Sequence, residues 1–539
     1  MSVIDTRPSH RKFFEALVTK VPFRSSSNKV VFFSPLVRDV CVMAGDKKLA
    51  TVDLNGRPFH FIGIGGIGMS ALAQIMAQRQ LPVSGSDLHS SHITNRLEAL
   101  GIKIFYRQEA ANLDYFTHEL DQKRQPLSVL AKGTNTLPET ETAASLNYLP
   151  QVVCSTAIAK TNPEYQAAVK LGCPILHRSD LLAASIEQYQ GIAVSGTHGK
   201  TTTSSLIGYM LLKSGLDPTI IVGGEVDDWD GNARSGSGAY LVAEADESDG
   251  SLVKHHPSMG IITNIELDHP DRYQDLQQVI EIFQTFAGQC QTLIGCIDDP
   301  IVRDELAVTI SYGLKPDLEA DYTAKNVTYY GGGSKADIWE RGICLGTLQL
   351  PLLGEHNLNN ALAAIAVGRQ LGLEFATIAD SLATFGGTKR RFEYRGKANG
   401  IVFIDDYAHH PSEIEVTLAA ARLKVSGNDD LSRVVAIFQP HRYSRTQTFL
   451  AEFADSLKDA DTIVITDIYS AGETNTFGIS GANLVEKIAS DRDRVYYHPA
   501  VDSIADFLQQ KILQPGDLAI FLGAGNLNQV ISQTIELYR

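Results

Sequence analysis

Three things are scarce in these 539 residues, and each scarcity excludes a class of protein. Cysteine is one: Cys41, Cys154, Cys173, Cys290, Cys296 and Cys344 are scattered, with no CxxC pair among them. That pattern excludes the common zinc and dithiol sites, and a disulfide framework is not expected in so long a chain, so the thiols read as reduced and the compartment as cytosolic. Long apolar runs are missing too. No stretch approaches the roughly 20 residues of a membrane helix, and the N-terminus lacks the short apolar core of a secretory signal. Positive charge is the third: 47 Lys and Arg stand against 62 Asp and Glu, a net −15. An acidic surface repels phosphate polymers, so nucleic acid and anionic membranes are not expected partners, while a small anionic ligand still fits a locally basic cleft.

What is present is a recurring alternation of β-branched strand, glycine turn and helix, the pattern of an α/β protein with doubly wound sheets. Length alone points to roughly three or four domains. Residues 1–52 read as a moderately basic N-terminal extension, most of which would be lost if translation began at Met43. A Rossmann-like domain is expected over 53–187, with a strand at 59–62, a helix from near Met69, a second strand before Asp87, and a polar surface insertion near 117–148 preceding a strand at 151–158. A central domain, 188–385, mixes strand and helix signals and contains an alanine-rich helix after Gly354. A third, again Rossmann-like, spans 386–539 with strands at 401–404, 434–438, 462–466 and 518–522.

The most informative segment is GIAVSGTHGKTTT, 191–203. A buried strand at Ile192 to Val194 feeds a turn in which Gly196 and Gly199 let backbone N–H groups face anionic oxygens. Lys200 adds a point charge near the terminal phosphates of a nucleotide, and Thr201 offers a hydroxyl to Mg²⁺. The usual phosphate-loop spacing would put its first glycine at Val194, so this is a shortened variant, and a plain strand-to-helix turn is the alternative. An earlier loop, Gly63, Gly65 and Gly68, satisfies GxGxxG, with Asp87 where a ribose-binding acid would sit. The residues alone leave a nicotinamide cofactor and another diphosphate, such as a nucleotide sugar, both open.

Acidic and imidazole groups follow in the order of a Mg-nucleotide site. The strand 240–243 delivers Glu244 to its carboxyl end as a candidate metal carboxylate; Asp246 and Glu247 stay open between site and surface, and Asp249 reads as a solvated acid. A second strand ends in Asn264, Glu266, Asp268 and His269, able to complete a metal or phosphate shell. In the third domain, Asp405 to His410 follow one strand, and His441, Arg442 and Arg445 follow another, a grouping suited to capturing carboxylate or phosphate.

Together HFIGIGGIGMSALA, SGTHGKTTT, EADESDGS, TNIELDHPD, GEHNLNNALAAIA, GTKRRFE, DDYAHHPSE and FQPHRYSRT resemble the Mur ligases, from about Pro58 to the C-terminus apart from the polar insertion. The resemblance implies a three-domain enzyme: the first domain binds a UDP moiety, the central P-loop ATPase-like domain binds ATP, and the third closes over both. It makes the first loop, Gly63, Gly65, Gly66 and Gly68 with Asp87, a substrate pyrophosphate site rather than a nicotinamide site. GIGGIGMSALA looks like the branch that joins L-alanine to the lactyl carboxylate of UDP-N-acetylmuramate through an acyl phosphate, in cytoplasmic peptidoglycan precursor synthesis. The branch that recycles a murein tripeptide onto the same sugar nucleotide is the alternative.

Carried over residue by residue, the resemblance gives Gly196, Thr197, His198, Gly199, Lys200, Thr201 and Thr202 as the ATP phosphate cradle. Asn357, Asn360, Arg391 and Asp406 match further ATP contacts. Thr201 and Glu244 serve Mg²⁺, and His269 serves a second Mg²⁺ or its shell. Tyr407, His409, Arg442 and Arg445 match contacts to the muramyl substrate, with His410 able to share the part of its neighbours. Catalysis falls to Lys200, Glu244 and His269, with His269 or His409 as the base for the alanine ammonium. Other Mur ligases place a carbamylated lysine near the metals; no lysine follows closely after His269 here. The protein is expected to act as a monomer or homodimer. A non-catalytic nucleotide-gated scaffold and a nicotinamide oxidoreductase are the rival readings, the first opposed by the intact Lys200, Glu244 and His269.

Overall fold

The computed structural model describes residues 52–116, 149–490 and 492–539. The insertion near 117–148, the extension through residue 51 and the alternative start at Met43 lie outside the described residues.

Three sheets follow one another along the chain. The first consists of β1 (Phe59–Ile62), β2 (Val83–Ser86), β3 (Lys103–Phe105), β4 (Gln151–Cys154) and β5 (Ile175–His177), all parallel in the order β3-β2-β1-β4-β5. β1 lies between β2 and β4, so strand order reverses beside it, and the glycine loop that follows β1 sits at this switch point. β4 is shorter than its apolar pattern implied because Ile158 N–H turns back to the Ser155 carbonyl at 3.1 Å.

The second sheet has ten strands: β6 (Gln190–Ser195), β7 (Thr219–Val226), β8 (Gly231–Arg234), β9 (Tyr240–Glu244), β10 (Met259–Ile262), β11 (Thr292–Cys296), β12 (Ile310–Tyr312), β13 (Tyr322–Tyr330), β14 (Gly333–Glu340) and β15 (Ile343–Leu350). Their order is β15-β14-β13-β12-β11-β10-β6-β9-β7-β8, parallel from β13 to β7 and antiparallel at both ends. The β13–β15 meander turns at Arg341 and Gly342, both at positive φ (47° and 82°), the tight hairpin geometry that matches strand twist. Against this sheet lies the Leu276–Gln289 helix. Asp275 caps it by accepting from Gln278 N–H at 3.1 Å, and Val279, Ile280, Phe283 and Phe286 form its buried stripe. Full burial of each phenylalanine contributes about 1.5–3 kcal/mol.

The third sheet runs β16 (Glu393–Ala398), β17 (Ile401–Asp406), β21 (Asp517–Leu522), β18 (Arg433–Phe438), β19 (Thr462–Ile465), β20 (Val495–Tyr497), with only the β16 edge antiparallel. β17 continues past its apolar run to take in Asp405 and Asp406. Asp405 pairs with Arg395 at 3.1 Å, and Asp406 accepts N–H groups of Phe392 and Ala408 at 2.7 and 2.8 Å, so neither carboxylate is buried without partners. The first two units share a hydrophobic core that includes Phe61, Ile75, Phe283 and Phe286, while the third has a core on each face of its own sheet. No helix among the described residues is long and apolar enough to cross a membrane.

Candidate active site

β6 lies between β10 and β9, so the segments leaving these three strands converge at one end of the central sheet. The segment after β6 is Gly196 to Gly199, and the Lys200–Lys213 helix starts directly behind it. Gly196 has φ 132°, and a Cβ there would sit 2.0 Å from Thr263 Oγ1 and 3.0 Å from its backbone nitrogen; only glycine fits. Gly199 has φ 81°, and a Cβ there would sit 2.8 Å from Asn360 Oδ1. The segment after β10 braces the turn: Asn264 Oδ1 accepts His198 N–H at 2.9 Å, and Thr263 Oγ1 donates to the His198 carbonyl at 2.6 Å. The first helical turn behind this brace presents backbone N–H groups without helical partners, which makes an anion site.

Lys200 lies across the turn, its Nζ 2.6 Å from the Gly196 carbonyl, 3.0 Å from that of Thr197 and 2.9 Å from Glu247 Oε2. Burial works against its ammonium, but Glu247, Asp246 and Glu244 outweigh burial and hold its pKa above the ordinary lysine range. Burial likewise opposes the Asp246 carboxylate, while Lys200 and Arg178 pull its pKa down to about 2. Glu244 ends β9, its Oε2 accepting Gly223 N–H at 2.8 Å; Thr201 borders the adjacent Gly224. His269 stands at φ 58°, with Nε2 3.5 Å from Asp268 Oδ2, and burial lowers its pKa, leaving the imidazole neutral at pH 7. Thus Lys200, Thr201, Glu244 and His269 emerge from three adjacent strands onto one region.

Asp249 is not a solvated acid. It is nearly buried, 3.4 Å from Arg178 and 3.6 Å from His177. The Arg178 charge arriving from the first unit offsets the cost of its burial.

The third unit closes the region from the other side. A cavity of about 330 Å³ is lined by His198, Gly199 and Thr202 from the turn, by Asn357 and Asn360 from the Glu355–Gln370 helix, and by Arg391 and Asp406 from the third unit. Arg391 Nη2 is 3.5 Å from Thr201 Oγ1. Tyr407 lies beneath the guanidinium groups of Arg390 and Arg391, 4.8 and 5.2 Å from its ring centre. His409 Nδ1 faces the Tyr407 carbonyl at 2.9 Å and Glu413 Oε2 at 3.2 Å. Arg442 pairs with Asp271 at 2.9 Å. Arg445, expected at the substrate, is buried in the interface between the second and third units. Its Nε and Nη2 donate to Asp268 Oδ1 at 2.9 and 2.7 Å, and its Nη1 lies 3.1 Å from His441 Nδ1. Burial opposes the Asp268 carboxylate, yet Arg445 holds its pKa well below the usual range.

In the first unit, Gly63 (φ 79°), Gly65, Gly66 and Gly68 lead into the Ile67–Gln78 helix, for which Gly66 is the N-cap. Asp87 Oδ2 accepts Gly65 N–H at 2.8 Å and so braces the loop. Arg178, which sequence reasoning passed over, reaches across from the fifth strand's end: it is close to Gly68 and 3.0 Å from Asp246. Glu413 was passed over as well, although it touches His198 at 3.3 Å, Arg391 at 3.8 Å and His409 at 3.2 Å. Its position in PSE, at the start of a helix after two histidines, was the available signal.

Comparison with known proteins follows the same division. The family model for the Mur ligase catalytic domain matches residues 58–190, that for the Mur ligase middle domain 194–368, and that for the Mur ligase glutamate ligase domain 390–525. The UDP-N-acetylmuramate--L-alanine ligase of Gloeothece citriformis is 61% identical over 490 residues, covering 90% of this chain and 99% of the relative. That of Crocosphaera subtropica is 60% identical over 498 residues, covering 90% and 96%. Among solved structures, the UDP-N-acetylmuramate-alanine ligase of Thermotoga maritima superposes with a TM-score of 0.72 at 27% identity, over 89% of this chain and 98% of its own. A murein peptide ligase of Psychrobacter arcticus shares the fold, with a TM-score of 0.62 at 22% identity, over 89% and 98%. With three family segments matched in order around a phosphate-loop lysine, the chain belongs to the Mur ligase family.

Proposed function

We propose that this enzyme joins L-alanine to the lactyl carboxylate of UDP-N-acetylmuramate, converting ATP to ADP and phosphate, in the cytoplasm and as a monomer or homodimer. The observation that carries the reading is the convergence of Lys200, Glu244 and His269 opposite the His409 and Arg442 cluster, in a chain 61% identical to a ligase of that name over 99% of its length.

ATP fits the geometry through the glycine cradle at Gly196 and Gly199 and the cavity between Asn357, Asn360, Arg391 and Asp406. The loop Gly63 to Gly68, with Asp87 behind it, takes the UDP pyrophosphate at a helix N-terminus. Thr201 hydroxyl and Glu244 carboxylate are hard oxygen donors suited to Mg²⁺, with His269 as a further ligand or its outer partner. When bound, the ion neutralises charge on the transferring phosphoryl group. The lactyl carboxylate attacks the γ-phosphorus and ADP leaves, which turns a poor acyl donor into an acyl phosphate. Lys200 moves from Glu247 and the loop carbonyls to the phosphate oxygens and stabilises the charge that builds there. The amine of alanine, freed of its proton, adds to the acyl carbon, and the tetrahedral intermediate expels phosphate.

His409 suits the role of base. Glu413 and the Tyr407 carbonyl fix Nδ1 as the N–H, which leaves Nε2 with a lone pair to accept the proton. Arg442 is the accessible arginine for the muramyl carboxylate, and Arg445 positions Asp268 and His441 behind it.

The test is phosphate release from MgATP with UDP-N-acetylmuramate, comparing L-alanine, other amino acids and the murein tripeptide. Release that needs both the sugar nucleotide and L-alanine is the expected result. Release only with the tripeptide assigns the enzyme to recycling, and no release under any combination overturns the ligase reading.

A further inference from the structure

Three ligating side chains from two units meet beside the nucleotide cavity, none of them among Thr201, Glu244 and His269. They are His198 in the phosphate turn, Glu266 after β10, and His410 at the cap of the Pro411–Ser426 helix. One ligand atom from each lies within 4.8 Å of the others. His198 Nε2 is 3.5 Å and His410 Nδ1 is 3.9 Å from the same oxygen, Glu266 Oε2. A tetrahedral metal with bonds near 2.0–2.1 Å sets its ligands about 3.3 Å apart, so small side-chain rotations close the gap.

The His410 imidazole is in the state a metal requires, whereas His198, for which Glu266 and Glu413 outweigh burial and raise the pKa to about 10, gives up a proton when the ion binds. His410 is 4% exposed, and neither of its ring nitrogens has a hydrogen-bond partner. A buried imidazole with two unused nitrogens is costly unless its lone pair is taken up. Burial also lowers its pKa to about 4, which keeps that lone pair free at neutral pH. His198 Nε2 likewise lacks a hydrogen-bond partner, while its Nδ1 faces Glu413 Oε1 at 3.3 Å. A carboxylate behind an imidazole is the outer arrangement that orients metal-bound histidines and raises their basicity. Glu266 is oriented in turn by Ser412, whose Oγ donates to Oε2 at 2.6 Å.

We propose that His198, Glu266 and His410 form a site for a transition-metal dication of the zinc class, one that fastens the phosphate turn to the third unit. Two nitrogens and one carboxylate favour Zn²⁺ or Co²⁺ over Mg²⁺ or Ca²⁺, which take oxygen. A fourth position is left for water. The bound ion displaces the proton that Glu266 and Glu413 otherwise hold on His198, and its attachment to both units opposes their separation.

The full chain, stripped with a chelator and free of nucleotide, is titrated with Co²⁺ by visible absorption and with Zn²⁺ against a chromogenic chelator. One equivalent with a nitrogen-ligated cobalt spectrum is expected. Glu266→Gln and His410→Asn weaken it by more than tenfold, Glu413→Gln weakens it by roughly 10–100-fold, and Glu244→Gln leaves it unchanged. Equal affinity and spectrum in the wild type, Glu266→Gln and His410→Asn overturn the proposal, as does loss in Glu244→Gln, which would assign the ion to the Thr201 and Glu244 region. Because the Glu266 side chain is 40% exposed, Glu266→Gln decides the question even if His410→Asn does not fold.

Discussion

Replacing Arg445 by methionine keeps the length of the side chain and removes its charge, which isolates the electrostatic part of the contact between the second and third units. Arg445 is 1% exposed, and two of its nitrogens hold Asp268 Oδ1 at 2.7 and 2.9 Å. In the variant, Asp268 stays buried with its main partner gone. Removing one member of a buried pair costs about 3–5 kcal/mol, most of it from the charge left behind. The cost therefore depends on pH. In the wild type the folded-state pKa of Asp268 is depressed, so its stabilisation is present above about pH 3.9 and fades as pH falls below it. In Arg445→Met, burial without the guanidinium raises that pKa, so the variant's deficit is full at pH 8 and shrinks on acidification as Asp268 takes up a proton. Urea unfolding of the wild type, Arg445→Met, Asp268→Leu and the double variant, followed by far-UV circular dichroism at pH 8 and pH 5, reads these terms. The double variant recovers stability relative to Arg445→Met, with a coupling of about 2 kcal/mol or more. A single-variant loss below about 1 kcal/mol, or a double variant that loses the sum of the singles, would refute the reasoning.

Lys200→Ala abolishes ADP formation and leaves UDP-N-acetylmuramate affinity within about twofold, since the nearest phosphate site of the first unit is built on a different helix; calorimetric loss of sugar-nucleotide binding would contradict this. Gly196→Ala forces a Cβ to 2.0 Å from Thr263 Oγ1 at φ 132°, so it loses about 1–3 kcal/mol of stability together with ATP binding, and an unchanged melting temperature in a scanning calorimeter would count against the cradle geometry. His255 is 1% exposed, and burial lowers its pKa to about 4. The unfolded chain takes up that proton near pH 6.5 and the folded chain only near pH 4, so this residue alone removes up to about 3 kcal/mol of stability across that interval. His255→Gln should flatten the acid limb of the stability profile, and a superimposable limb would show that other groups set it.

Much of the geometry of the candidate site was legible because its parts are local. β1 with its glycine loop, and β6 with Gly196 to Lys200, each place strand, turn and helix start within about a dozen residues, and a short window carries the whole signal. The candidate positions Glu244 and His269 were readable because one ends a buried strand and the other follows one closely. The partners that set the charges were not. Glu247 meets Lys200 from 47 residues away, and Arg445 meets Asp268 across 177; a single sequence gives no periodicity for such pairings. Asp249 was misread for the same reason, its neighbours Arg178 and His177 arriving from the first sheet. The β13–β15 meander had its turn signal at Arg341-Gly342, but the half-buried alternation around it was lost among mixed strand and helix patterns.

The cavity proposed for the nucleotide takes its walls from two sheets, with Asn357 and Asn360 on one side and Arg391 and Asp406 on the other. A pocket of that kind exists only while the two are docked, so affinity for ATP contains the docking equilibrium as a factor: the apparent dissociation constant is the intrinsic one divided by the docked fraction. Linkage runs both ways, and ATP therefore strengthens every contact across the seam, including those that never touch it. The Arg442–Asp271 pair, which spans the same seam, becomes a determinant of nucleotide affinity.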